Sequence, residues 1–319
     1  MSSDDAAELA LPRSSAPQVW DATVSETSFY WYDLINDPKV PDFHDPIGRY
    51  QRRMQFALDA TMEKRLMFML VARPRLRFDP KRSTSWGFFS LKLTIPILIG
   101  GEERKSTITV ELKTPFEATF KKPLIQLYDK YITLNWGSMT ETFTIHDLMQ
   151  RHDTGLHYPS KVQYVGQTRD PAGRLAKGRL MAVSNLCDSN AADYDTLLLV
   201  QNFNVAVDTE AKEFAEQASQ RSQMDVLEAA LIRYFEGADA RSPQEHRLRR
   251  ERLRSLHEAY MIDRLTIDLG FKEANDFYDL ESAEVEKSRR HLFACSFNEG
   301  LAAVERLPEQ GRPLVSLEA

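Results

Sequence analysis

Tyr164, Gly166 and Arg174 lie in one short stretch, Lys161 to Arg179 (KVQYVGQTRDPAGRLAKGR), and present a phenol, an open backbone and a guanidinium, groups that suit a phosphate. Alternation over residues 161–168 predicts a strand with Val162, Tyr164 and Gly166 on one face and Gln163, Val165 and Gln167 on the other. Tyr164 is thereby aimed to one side. Gly166 removes a side chain beside it, so another backbone or a phosphate can approach closely. Asp170 and Pro171 predict the N-cap and first position of a helix, because the Asp oxygen takes an orphan amide and Pro loses nothing there. Arg174 then falls in the first turn or just beyond it, with Lys177 and Arg179 further along.

A second stretch, QMDVLEAALIRYFEG, predicts a helix on which Leu227, Leu231 and Phe235 recur at four-residue steps and face a sheet. Glu228 sits beside that stripe, placed to reach the sheet edge where Tyr164 emerges. Together the two stretches resemble the GIY-YIG nucleases, in which a YIG or YVG strand is followed about ten residues on by a helical arginine and later by a glutamate helix. The order strand, helix, strand (DTLLLVQNFNVAV), glutamate helix also fits that small α/β fold. The resemblance covers residues 139 to 240.

That resemblance implies a metal-dependent endonuclease acting on nucleic acid, DNA in the first place, with Glu228 holding Mg²⁺ or Mn²⁺. Arg174 would contact the scissile phosphate, and Tyr164 would position or deprotonate a water. Gly166, Lys177 and Arg179 would add backbone contacts to the nucleic acid. The family's first tyrosine, due ten or eleven residues before Tyr164, is replaced by Thr154 and Asp153. Tyr158 and His157 are the nearby substitutes in sequence. The alternative reading is a scaffold that has lost its chemistry and serves as a nucleic-acid-binding or protein-interaction module. A nuclease with an added recognition domain suits restriction-like or anti-phage roles.

At 319 residues the chain has room for two domains, and the nuclease-like part fills one of them. A net charge of −6 excludes a global basic field, so any nucleic-acid site is a local patch. The densest patch is EHRLRRERLRSLHEAY, where Arg247, Arg250 and Arg254 are expected to meet the DNA backbone; Glu245, Glu251 and Glu258 are placed to pair with some of these arginines. Cys187 and Cys295 have no zinc spacing, and the acidic start is unlike a signal peptide, so a reducing cytoplasm is the expected compartment and no membrane partner is expected.

The expected fold is α+β. Residues 1–16 form a polar tail, 17–138 an accessory domain with a helix and an antiparallel β-rich unit, 139–260 the nuclease-like domain, and 261–319 a carboxy-terminal α/β extension. Arg49 to Ala72 reads as one core helix, Pro74 to Trp136 as strands, and Thr209 to Glu236 as one long helix. Arg73, Arg75, Arg77, Lys81 and Arg82 form either a phosphate-contacting strip or a charged sheet edge. His146, His152 and His157, at spacings of six and five, do not share a helical face and read as solvated or capping side chains. A protein partner or a second copy of the chain would use the amino-terminal domain.

Overall fold

The computed structural model describes residues 16–35, 45–59, 66–87, 91–168, 192–209, 219–238, 241–270, 275–298 and 300–308. The fold is mixed, mostly strands, as an α+β chain should be. Its first element is the 14-residue strand β1 (Gln18–Trp31), followed by the short helix α1 (Tyr32–Ile35) and α2 (Pro46–Asp59). Strand β2 (Leu66–Pro74) comes next.

The single helix expected from Arg49 to Ala72 is therefore divided. In LMFMLVARP every residue but the last is buried, and an apolar run covered on both faces is a central strand, although its composition serves a buried helix equally well.

Two small antiparallel sheets follow. One holds β3 (Leu76–Phe78), β4 (Ser85–Trp86), β5 (Lys92–Ile99) and β6 (Arg104–Glu111), and the other β7 (Leu124–Leu127), β8 (Tyr131–Asn135) and β9 (Thr140–Thr144). Helix α3 (Ile145–Arg151) is opened by a capping box in which Thr144 and Asp147 satisfy each other's backbone amides. The remaining elements are β10 (Ser160–Thr168), β11 (Tyr194–Thr209), α4 (Gln220–Phe235), α5 (Pro243–Tyr260), β12 (Ile262–Gly270), β13 (Leu280–Glu281), β14 (Arg290–Asn298) and β15 (Leu301–Arg306). The stretch expected as one helix from Thr209 opens as the last residue of β11, and α4 covers its second half.

The main sheet has eight strands in the order β13-β10-β2-β11-β1-β12-β14-β15. Strands from both sides of the boundary expected at residue 138 share it, since β1 and β2 precede that point and the other six follow it. β1 pairs antiparallel with β11 on one side and parallel with β12 on the other. One continuous core runs from Trp20 through the small sheets (Ile95, Trp136) to Phe297. These pairings join residues far apart in the chain, which no local pattern announces.

Helix α4 is pressed onto the sheet by Leu227, Leu231 and Phe235, all buried as expected. At its carboxy-terminal end Tyr234 stacks on Phe293 with ring centroids 3.9 Å apart, and its hydroxyl lies 3.1 Å from His291 Nδ1. His291 Nε2 is 3.1 Å from the Leu280 carbonyl, which only accepts, so Nε2 carries the proton and Nδ1 accepts from Tyr234 in the neutral ring. Burial pushes the His291 pKa down from 6.5 to about 4. Its folded-state pKa is depressed, so the unfolded chain binds the extra proton first as pH falls. The stability it protects is complete above about 6.5 and is lost progressively toward pH 4, by about 3 kcal/mol in all. Urea unfolding of His291→Phe against wild type, at pH 7.5 and at pH 4.5, should show this part of the acid loss disappear in the variant. An unchanged acid slope would refute it.

Candidate active site

Strand β10 is hydrogen-bonded to β2 along one edge, and β2 to β11 on its far side, all antiparallel. The other edge of β10 meets β13 only at Ser160 and Lys161. Beyond that point the outward backbone groups of Val165 and Gln167 face no strand among the described residues. An open edge of this kind costs hydrogen bonds and invites foreign strands unless something covers it.

Side chains from α4 and the turn after it do so. Glu228 Oε1 accepts from the Gln167 N–H at 3.1 Å, and Glu236 Oε1 accepts from the Val165 N–H at 2.6 Å. Arg241 donates to the Val165 carbonyl at 2.6 Å and also to Glu236. Burial pushes the Glu236 carboxyl above its ordinary range, against the pull of Arg241.

The side chain of Gln167 joins the same group. Its amide nitrogen lies 3.1 Å from Glu228 Oε2 and 2.5 Å from Asp225 Oδ1, so two carboxylates converge on one donor. Asp225 is one helical turn before Glu228 and therefore on the same face. Its other oxygen takes Arg252 Nε at 3.0 Å, which commits one arginine of the basic helix to the protein itself.

Tyr164 points to the sheet face opposite α4. Its ring stacks on Phe68 at 5.9 Å, and the Arg241 guanidinium covers it at 3.8 Å from the centroid. Phe68, Tyr164, Leu198 and Val200 form a small cluster there, while Val165 belongs to the main core on the α4 side. A register shift between Val162 and Tyr164 moves Val162 to the Val165 side, so the expected grouping of Val162 with Tyr164 fails at that bulge. Gly166 leaves room for the Phe68 ring: a Cβ there would lie 2.7 Å from Phe68 Cζ. The close approach read from this glycine is thus an aromatic side chain of the chain itself.

The expected site residues divide into three groups. Tyr164, Gly166 and Glu228 all lie at the exit end of β10, but Glu228 reaches it from α4 while the Tyr164 ring lies on the opposite face. His157 and Tyr158 are not among them; they precede the strand, with His157 exposed and the Tyr158 N–H bonded to Asp276 Oδ2. Six residues of extended chain separate Tyr158 from Tyr164, about 20 Å. Arg174, Lys177 and Arg179 lie outside the described residues.

On α5, Arg247 is exposed and 3.9 Å from Glu251, while Arg250 and Arg254 lie on the same helix with partners of their own. The strip expected at Arg73 and Arg77 is instead structural: Arg73 is 1% exposed and paired with Asp276, and Arg77 is paired with Asp195. His146 is likewise buried and bonded to Asp195, not solvated, whereas His152 does cap the carboxy-terminal end of α3.

Among the described residues no group of three or more His, Cys, Asp or Glu side chains converges as a metal site. None of their helices is long and apolar enough to cross a membrane. Cys295 is buried, and burial pushes its thiol up to about 12, which leaves it unreactive at neutral pH.

Sequence reasoning missed Gln167, Asp225, Glu236 and Arg241. Asp225 alone had a signal, its one-turn spacing from Glu228. No family model matches this chain, and neither a curated protein nor a solved structure matches it.

Proposed function

We propose that the chain is a metal-dependent endonuclease of the GIY-YIG type that hydrolyses phosphodiester bonds in nucleic acid, with DNA as the first substrate to test. The observation that carries this reading is the contact of Glu228 with Gln167, at the exit of the Tyr-Val-Gly strand from which the chain runs on to Arg174. In the chain, β10, β11 and a glutamate helix that reaches back to β10 follow in the order the resemblance implies, whereas β2, which lies between the two strands in the sheet, precedes residue 139 and is no part of that order.

The donor chemistry at Asp225 and Glu228 fits a hard divalent ion. Both are carboxylates, they converge on one Gln167 nitrogen, and Mg²⁺ or Mn²⁺ takes such oxygens together with waters and a substrate phosphate. When bound, the ion would offset charge that builds on the departing oxygen. Arg174 would hold the phosphate through its paired donors, while the water-orienting role that the resemblance gives Tyr164 is not supported by its buried place on the sheet face opposite α4, under Arg241.

The second reading, a nucleic-acid-binding module without chemistry, is favoured by one observation. On β2, Phe68 stands across from Gly166 and stacks on Tyr164, so an apolar ring of the chain itself fills the space beside the phenol.

The test is a nicking assay with Mg²⁺ or Mn²⁺ on single-stranded DNA, double-stranded DNA and RNA. Glu228→Gln keeps one acceptor for the Gln167 N–H, so the backbone edge stays covered, while the charge and the bond to the Gln167 side chain are lost. Wild type should cut, with Glu228→Gln and Arg174→Ala slower by about 100-fold or more while thermal unfolding shows each variant still folded. Equal cutting by all three removes the proposal. Salt-dependent mobility shifts with no cleavage under either metal establish the second reading in its place.

A further inference from the structure

Away from the β10 edge, α4, α5 and the start of β15 enclose a cavity of about 540 Å³. Its walls are apolar, from Ala229, Ile232, Leu253 and Leu301, and Arg233, Arg249 and Arg250 line it as well, while no Asp or Glu among the described residues does. In a chain with a net charge of −6, three guanidiniums around an apolar hollow run against the composition.

Arg233 and Arg249 form no ion pair with a described carboxylate. Glu236 and Glu245 feel the charge of Arg249, yet both stand outside the lining. His246 also lines the cavity, and its Nε2 is buried with no hydrogen-bond partner. A buried polar atom left in that state costs about 1–3 kcal/mol, and a ligand atom would satisfy it.

We infer that this cavity binds a small molecule with an anionic head, a carboxylate or a phosphate monoester, on an apolar or aromatic body. The volume lies within the usual range for small-ligand sites. The arginines supply charge-assisted bonds to the head, and Ile232, Leu253 and Leu301 cover the body. The site is separate from the carboxylates at β10: Ala229 and Ile232 turn toward the cavity, while Asp225 and Glu228 turn toward Gln167.

The experiment uses the full chain and the fluorescent anion 1-anilinonaphthalene-8-sulfonate. Wild type should give a saturable signal. The double variant Arg233→Gln/Arg249→Gln should weaken it roughly tenfold or more through the lost charge-assisted bonds. Ala303→Trp, at an exposed position on the cavity lining, should block it. Thermal unfolding must show both variants folded.

Displacement by adenosine monophosphate assigns a phosphate head, and displacement by octanoate a carboxylate. Displacement by neither, a signal that never saturates, or equal affinity in both variants overturns the inference. Nicking activity should be unchanged in these variants, so this result and that of the proposed function are read independently.

Discussion

Replacing Arg73 by Met is expected to cost about 3–5 kcal/mol of unfolding free energy, a large share of the roughly 5–15 kcal/mol that holds a native domain together. The side chain is 1% exposed and makes four contacts with three residues. Its Nη2 lies 2.9 Å from Asp276 Oδ2, its Nη1 reaches Ser160 Oγ and the Asp276 carbonyl, and its guanidinium carbon sits 3.6 Å from the centre of the Phe277 ring. Removing the cation leaves Asp276 buried and unpaired, which is the costly half of breaking a buried pair. Lys in its place offers one point charge where a fork is used, and should recover little.

The double variant Arg73→Met/Asp276→Leu should recover part of the loss, because an apolar pair of similar volume avoids the stranded charge. Recovery stays incomplete because Asp276 also accepts the Tyr158 N–H. Urea titrations of the three variants measure this, and a loss below about 1 kcal/mol in Arg73→Met would mean that water screens the pair after all.

That lock explains why Tyr158, plausible as a substitute phenol in sequence, is better understood as part of the frame. Its backbone is fixed by the carboxylate that holds Arg73, at the end of β10 away from Gly166. More generally, what was readable in the chain is what local chemistry dictates. The Tyr-Val-Gly strand, β11, and the helices α4 and α5 follow from apolar spacing and caps that act within a few residues. The stripe Leu227, Leu231, Phe235 is buried because a helix repeats every 3.6 residues.

The parts that escaped depend on who sits beside whom. Leu66 to Ala72 reads as helix or strand until its neighbours β10 and β11 are known. Arg73, Arg77 and His146 look like solvent-facing charges until Asp276 and Asp195 are seen to meet them. The bulge near Gln163 reverses the face of Val162, and no residue type there requires it.

The same reasoning bears on Glu228. As the cover of an open strand edge it has a structural task whether or not a metal ever binds, and Glu236 and Arg241 share that task two residues away at Val165. A carboxylate with this double position would make Glu228→Ala ambiguous, since lost activity and an uncovered edge would coincide. Glu228→Gln separates them. The carboxylate that sequence did not nominate, Asp225, is held by the Gln167 side chain and by Arg252.

Asp195→Ala should rival Arg73→Met in cost, about 3–5 kcal/mol, and should also change how the protein responds to acid. Asp195 is 1% exposed on β11 and accepts from the Leu76 N–H at 3.0 Å, from Arg77 at 2.8 and 2.9 Å, and bonds His146 Nε2 at 2.9 Å. It therefore ties the central sheet to the start of β3 and to α3. Burial alone would raise its pKa; the His146 bond and charge, Arg77 and the Leu76 amide outweigh that and hold it below the ordinary value of 3.8.

A folded-state pKa below the unfolded one means that the unfolded chain takes up the proton first as pH falls. The stability Asp195 confers is thus complete above about pH 4 and is lost below it, a window distinct from the one His291 governs between 6.5 and about 4. Unfolding followed from pH 7 to pH 2.5 should show two successive declines in wild type. His291→Phe should flatten the first, and Asp195→Asn, at a lower overall stability, should flatten only the second. If Asp195→Asn leaves the decline below pH 4 unaltered, some other carboxylate drives it, and the buried junction at Asp195 is not the acid-sensitive joint between the two sheets.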